Sequence, residues 1–153
     1  MKLLIFHIGK DRYGIRLQCI VRVLPLQILK SLPLAPHYVA GLINFHGNAV
    51  PVLDLCLLAG MPAGGVQHFD SRIILVNYIS PDGTSHLLGL MAEHVLGIET
   101  ITTTQLVDSG VKTAPFLGQI FSNASGILQM VELEHLLQDE VRTALFQSAV
   151  QTT

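Results

Sequence analysis

The sequence predicts an all-β protein built from two small barrels. Short apolar segments recur at regular spacing, and residues that favour turns separate them. A clear amphipathic helical pattern is found only near the carboxyl end of the chain. The first half of the sequence is also similar to the second half. Together these observations favour an internal duplication, with one barrel for each copy.

A predicted β-hairpin occurs twice. In residues 41–58 and again in 118–137, a Gly opens an apolar strand and a turn rich in Asn, Gly and Ser reverses the chain. The second strand then ends in an acid followed by Leu, with Asp54 in the first copy and Glu132 in the second. Asp54 can cap a short helix predicted over 55–59.

Two further features repeat in the same order. The segment Gly14–Leu17 aligns with Gly89–Ala92 at a constant offset of 75 residues, and an Ala-Pro pair precedes each hairpin. Units of roughly 60 to 70 residues are marginal alone, so we expect them to share a core. The predicted organisation is a single domain over 1–150. It comprises subdomain one at about 13–70 and subdomain two at about 71–135, with the chain ends packing across and 61–70 as the linker.

The remaining elements follow from periodicity and turn residues. Arg72–Ile79 lacks alternation and should be covered on both faces. The expected elements are a hairpin of Leu3–Ile8 with Tyr13–Cys19, a strand at His86–Ala92, an irregular segment at Thr100–Thr113 and an amphipathic closing helix over Leu133–Leu145.

The composition limits the classes of function and of partner that the protein can have. Apolar residues make up 50% of the 153 residues and charged residues 13%, against about 25% charged in typical soluble proteins. Either the core is unusually large, or partner proteins cover part of the surface. The net charge of −2 without a basic cluster makes nucleic acid an unfavourable partner. Prolines interrupt the longest uncharged stretch, Ser31–Leu53, and the amino-terminal apolar run is too short for a signal peptide, so a cytoplasmic protein is expected.

No catalytic or metal-binding pattern is found in the sequence. It lacks the G-x-S-x-G elbow, the phosphate-binding loop and zinc-type His spacing. Glu93 and His94 are adjacent, but neighbours on a strand point to opposite faces. Cys19 and Cys56 are expected to be free thiols. We therefore expect no enzyme and no cofactor, although a site assembled from distant residues, as in a hydrolase or transferase, stays open.

The segment from Gly41 to Leu55 resembles a family. It is close to G-[VI]-[IT]-N-L-R-G-x-x-[IV]-P-[IV]-[VI]-[DN]-L, the pattern of the CheW coupling proteins of bacterial chemosensory arrays. The resemblance extends over about Leu3 to Leu145, and it includes Tyr13-Gly14-Ile15 and the apolar run from Ile20. It implies two intertwined five-stranded Src-homology-type barrels with a C-terminal helix.

The resemblance also implies a function. Such proteins are non-catalytic adaptors that link the cytoplasmic tips of chemoreceptors to the regulatory domain of a CheA-type histidine kinase, and so lie near the inner face of the membrane. Weak self-association is a further expectation. By position, the kinase-binding residues are Leu4, Leu17 and Ile20, and the receptor-binding residues are Arg22, Asn44, His46 and Val95.

Two positions depart from the family pattern. His46 replaces the usual Arg, and Arg22 lies where an acid or an apolar residue is common. One hypothesis is a divergent adaptor for one pathway, such as pili, surface behaviour or second-messenger synthesis; the alternative for His46 is a simple turn residue. Two other interpretations stay open. One is a small-ligand-binding barrel, and the other is an adaptor that competes with the receptor and the kinase rather than bridging them.

Overall fold

A computed structural model describes residues 1–61, 71–111 and 113–146, apart from the side chain of Leu96. This part of the chain is mostly β-strand. The strands are β1 (Lys2–Ile8), β2 (Asp11–Arg16), β3 (Ile20–Pro25), β4 (Val39–Phe45), β5 (Asn48–Asp54), β6 (Arg72–Ile79), β7 (Ser85–Thr100), β8 (Leu117–Asn123) and β9 (Gly126–Val131). The helices are α1 (Leu55–Leu58) and α2 (Asp139–Leu145), with 3-10 turns at Leu17–Cys19, Thr103–Gln105 and Leu133–His135.

The strands form two five-stranded barrels that share β7, which confirms the predicted fold class. In barrel A the order is β7-β1-β2-β9-β8, and in barrel B it is β3-β6-β7-β5-β4. The first half of β7 pairs with β5 and β6, whereas the half from Glu93 to Thr100 pairs with β1. The barrels are therefore joined through one continuous strand.

The duplication is visible in the strand register. Gly14 of β2 lies opposite Met130 of the parallel strand β9, and Gly89 of β7 lies opposite Val52 of the parallel strand β5. Each Gly thus meets the second arm of a hairpin, but the hairpin comes from the other half of the sequence. A Cβ atom at Gly89 would lie 2.9 Å from Val52 Cγ2, which explains why this position takes no side chain.

Three apolar clusters stabilise the arrangement. The barrel A cluster is Leu3, Ile5, Ile101, Leu106, Leu128 and Met130. The barrel B cluster is Ile43, Val50, Val52, Ile73 and Leu75. The inter-barrel cluster is the largest and takes residues from both barrels and from the chain segment around Leu133–Leu137. On β6, residues 73–76 are all buried, as expected for a strand covered on both faces.

Three elements differ from the sequence prediction. The predicted arm Tyr13–Cys19 ends as a strand at Arg16, because the chain crosses there from barrel A to barrel B through a 3-10 turn. The strand predicted over His86–Ala92 continues to Thr100, because its second half pairs with β1.

The predicted closing helix is divided at Gln138. This residue is extended, with ψ 159°, and separates the 3-10 turn at Leu133–His135 from α2. Leu133, Leu136 and Leu137 are buried in the inter-barrel cluster, so packing before Gln138 overrides the helical period. Ala144, which the prediction placed on the apolar stripe, is exposed.

The boundary predicted at residues 70 and 71 stays a prediction about domain organisation. Strand pairs β2–β9 and β3–β6 each connect segments from the two sides of that boundary. The predicted linker falls largely on residues 62–70, and these lie outside the described residues, as does the end of the predicted domain beyond 146. Among the helices of the described segments, none has the length and apolar character needed to span a bilayer.

Candidate functional site

The β4–β5 turn presents two of the predicted receptor-binding residues. Phe45 pairs with Asn48, so His46 and Gly47 are the two central turn residues, with φ of 51° and 85°. Positive φ at both positions is the requirement of a type I′ hairpin turn. The Asn44 side chain accepts a hydrogen bond from the Gly47 backbone N–H at 2.8 Å, which fixes the turn. His46 is thus exposed and held in a left-handed conformation that is costly for it.

Arg22 is brought to this turn from β3. Its guanidinium carbon lies 5.7 Å from the centroid of the Phe45 ring, within the range of a cation–π contact. The Phe45 ring in turn lies 4.3 Å from the His46 ring, centroid to centroid. Arg22, Asn44, Phe45 and His46 therefore form one surface, here called the hairpin surface. The sequence prediction missed Phe45, since its apolar side chain was indistinguishable from a core residue.

Val95 lies away from the hairpin surface. It belongs to the half of β7 that pairs with β1, and its side chain packs against the inter-barrel cluster. The β4–β5 hairpin instead adjoins the first half of β7, where Val52 lies opposite Gly89. The structure thus brings together three of the four predicted receptor-binding residues.

The three predicted kinase-binding residues differ in exposure. Leu4 is only 5% exposed and belongs to the inter-barrel cluster. Leu17 and Ile20 are half-buried near the crossing between barrels, and Ile20 packs against the same cluster. Val21, which follows Ile20 on edge strand β3, is 42% exposed. Of the three predicted residues, Leu17 and Ile20 are therefore accessible in part, whereas Leu4 belongs to the interior.

Two aliphatic residues that the sequence prediction did not single out are fully exposed. Ile28 and Leu34 lie on the connection between β3 and β4. Leu34 has φ of 66° in a turn closed by a hydrogen bond from the Ala35 N–H to the Leu32 carbonyl. No sequence signal identified them, because an aliphatic residue in this composition is read first as core.

A thiol and an acid are paired in the described interior. The Cys56 Sγ lies 3.0 Å from Glu93 Oε1. Burial first, and then this hydrogen bond, raise the pKa of the Cys56 thiol to about 12. A thiol of that kind stays protonated and is a poor nucleophile. Cys19 and Cys56 are both free, as predicted; Cys56 is buried and Cys19 half-buried.

Neighbouring His94 has φ of 47° and stacks edge-on against His7, with ring centroids 5.2 Å apart. Among the described residues, no group of three or more His, Cys, Asp or Glu is arranged to hold a metal ion. On β1, His7 lies opposite Glu93 in the strand register and also contacts the His94 ring, so the independence of Glu93 and His94 stays a prediction.

A cleft of about 640 Å³ lies between the two halves of the chain. Tyr38 and Leu58 of the first half line it together with Phe116 and Leu136 of the second, and Arg142 of α2 also lines it. These lining residues are related by the same hairpin alignment that relates Asp54 to Glu132. Each barrel interior holds an apolar cluster of its own.

Comparison with known proteins gives a consistent result. A family model described as a CheW-like domain matches residues 2–141. The chemotaxis protein CheW of Rhizobium meliloti is 26% identical, covering 94% of this chain and 91% of the relative. Protein FrzA of Myxococcus xanthus is 28% identical over 67% of this chain and 60% of its own. The crystal structure of the scaffolding protein TtCheW from Thermoanaerobacter tengcongensis superimposes with a TM-score of 0.80, at 24% identity, over 92% of this chain and 89% of that one.

Proposed function

Because this chain belongs to the CheW-like domain family, we propose that it is a non-catalytic scaffold that couples chemoreceptors to a CheA-type histidine kinase. The observation that carries the proposal is the family match over residues 2–141, together with the fold of two barrels that share β7. The function then consists of protein contacts rather than turnover. The family match favours the scaffold over a small-ligand-binding barrel.

The kinase contact is proposed for the surface at the crossing between barrels. Leu17 and Ile20 are half-buried there, and Val21 is exposed beside them. Partly exposed aliphatic side chains on a packed base are suited to a protein interface, because their burial removes apolar area from water without reorganising the core. The regulatory domain of the kinase is the proposed partner.

The receptor contact is proposed for the hairpin surface, with Val95 as a separate and more buried contributor. Arg22 and His46 are exposed, and both positions depart from the family pattern described above. We therefore propose an adaptor dedicated to one chemosensory pathway. Its location at the inner face of the membrane would follow from binding receptors.

The test is a titration of the protein against the regulatory domain of the CheA-type kinase from the same cell. Ile20→Asp places a charge at the proposed contact and should abolish binding. Because Ile20 also packs against the core, Val21→Asp serves as a second, more exposed variant. Ile79→Asp is the matched control, since Ile79 is 51% exposed on another strand.

Binding that is lost in Ile20→Asp and Val21→Asp but kept in Ile79→Asp supports the proposal and identifies the kinase surface. If the unmodified protein bound neither the kinase nor the receptor tip, the coupling function would be refuted. A ternary complex that forms only when the protein is present would distinguish bridging from competition.

A further inference from the structure

An exposed isoleucine lies on the connection that reaches β4, close in sequence to a contact with the hairpin. Lys30 and Leu42 exchange two backbone hydrogen bonds, at 2.9 and 2.8 Å, in an isolated antiparallel bridge. Continuing that register, two residues before Lys30 and two after Leu42, would place Ile28 opposite Asn44. Ile28 is fully exposed, so its side chain stabilises nothing within the barrel. Its position extends the hairpin surface by an apolar side chain.

The charged side chains of the segments that build this surface have one sign. From Ile20 to Leu53, a range that contains β3, β4 and their connection, the chain carries Arg22 and Lys30 and no Asp or Glu. The Arg22 guanidinium lies over the Phe45 ring in a cation–π contact, and this contact uses none of its N–H groups as hydrogen-bond donors. Across barrel B, the acid of the β6–β7 turn, Asp82, accepts hydrogen bonds from Ser80 and Thr84 of its own turn. The hairpin surface is therefore complementary to a carboxylate.

We propose that Ile28 and the hairpin surface bind a segment of the receptor tip in which an apolar side chain stands next to an Asp or Glu. The apolar side chain contacts Ile28, and the carboxylate accepts hydrogen bonds from the Arg22 guanidinium, a pairing that is strong when partly shielded from water. This inference rests on the proposed function, and it adds the chemistry of the receptor segment and the residue Ile28.

The test is a titration of the full-length protein with the cytoplasmic fragment of the receptor from the same cell. Ile28→Gln removes the apolar contact, and Leu34→Gln is its control, since Leu34 is as exposed on the same connection but lies towards the other end of β4. Arg22→Glu reverses the charge, and Lys10→Glu makes the same change in the exposed β1–β2 turn of barrel A.

We expect Ile28→Gln to weaken receptor binding about tenfold, the loss typical of an interface anchor. Leu34→Gln and Lys10→Glu should bind as the unmodified protein does. Arg22→Glu should weaken binding at least as much as Ile28→Gln, and replacing the receptor acid by Lys should restore affinity for Arg22→Glu alone. Kinase binding should be the same for all four variants, and thermal melting should show them folded.

If Ile28→Gln binds the receptor with an affinity within about twofold of that of the unmodified protein, the inference is overturned while the coupling function stands. If the receptor affinity of the unmodified protein does not change between about 50 and 500 mM salt, the charged contact is refuted as well. No receptor binding by the unmodified protein, with kinase binding intact, would instead refute the receptor part of the proposed function.

Discussion

Replacing Gly89 by Ala is expected to destabilise the protein, because Gly89 lies where two β-branched side chains leave no room. A Cβ atom there would be 2.9 Å from Val52 Cγ2 and 3.1 Å from Ile73 Cγ2. Ordinary contacts between carbon atoms begin at about 3.5 Å. Val and Ile have stiff χ1 angles, so neither methyl group can rotate away without cost. Overpacking of this kind costs about 1–3 kcal/mol.

Part of that cost is offset, since Ala loses less backbone entropy than Gly on folding, by about 0.5–1 kcal/mol. The expected net loss for Gly89→Ala is therefore about 1–2 kcal/mol. Gly14 is the matched control, because it holds the equivalent position in barrel A. Its Cβ would lie 3.2 Å from Leu3 Cδ1, the end of a flexible side chain, and its next contacts are at 3.5 Å. Gly14→Ala is expected to change stability by less than about 0.5 kcal/mol.

Urea unfolding followed by circular dichroism gives the free energy of unfolding of both variants. The comparison requires that this free energy depend on urea concentration with the same slope in each variant. Equal losses for Gly14→Ala and Gly89→Ala, or no loss for Gly89→Ala, would refute the packing argument. A loss at Gly89 alone would show that the two copies, although equivalent in register, have diverged in how tightly their barrels are filled.

Three further predictions concern single side chains. Asp54 accepts hydrogen bonds from the backbone N–H groups of Cys56 and Leu57, so Asp54→Ala should lower the free energy of unfolding by about 1 kcal/mol and Asp54→Asn by less; equal losses in urea unfolding would contradict a capping role. Folding raises the pKa of Cys56 from 9.0 to about 12, so unfolding releases a proton above pH 9. The stability that the thiol contributes is present below pH 9 and is lost at about 1.4 kcal/mol per pH unit as the pH rises towards 12, a slope that Cys56→Ala should lack. His46→Asn should stabilise the fold by up to about 1 kcal/mol, because Asn tolerates the left-handed turn position better, while receptor affinity falls; unchanged affinity would leave His46 as a turn residue only.

The all-β class, both hairpins and the Asp54 cap were predictable because each depends on local signals. Period-two patterns, turn residues and a capping acid act over a few residues. Partner choice between strands is not local. That β2 pairs with β9, rather than with a strand of its own half, depends on the mutual burial of residues more than 100 positions apart. The break at Gln138 was missed for the same reason, since burial of Leu136 and Leu137 outweighed a helical period.

The candidate site was only partly predictable. Arg22, Asn44 and His46 followed from comparison with a family pattern, and the structure brings them to one turn. Phe45, which connects Arg22 to His46, was missed because aromatic residues in strands usually belong to the core. Ile28 was missed for the opposite reason, since sequence carries no record of exposure. Leu4 shows that a family pattern can also mislead about exposure, because a position matched to a surface patch is buried here.

The pairing of the first two strands has a consequence for how the chain folds during synthesis. Barrel B draws on strands between Ile20 and Ala92, so it can assemble once the ribosome has released that stretch. The β1–β2 hairpin is made earliest, yet β1 waits for residues 93–100 and β2 for residues 128–130. Both edges of this apolar hairpin are open until Thr100 emerges, and the β2 edge stays open until Met130 emerges, in a topology of long sequence separation that slows closure. The amino terminus is therefore the first part to be translated and among the last to be placed.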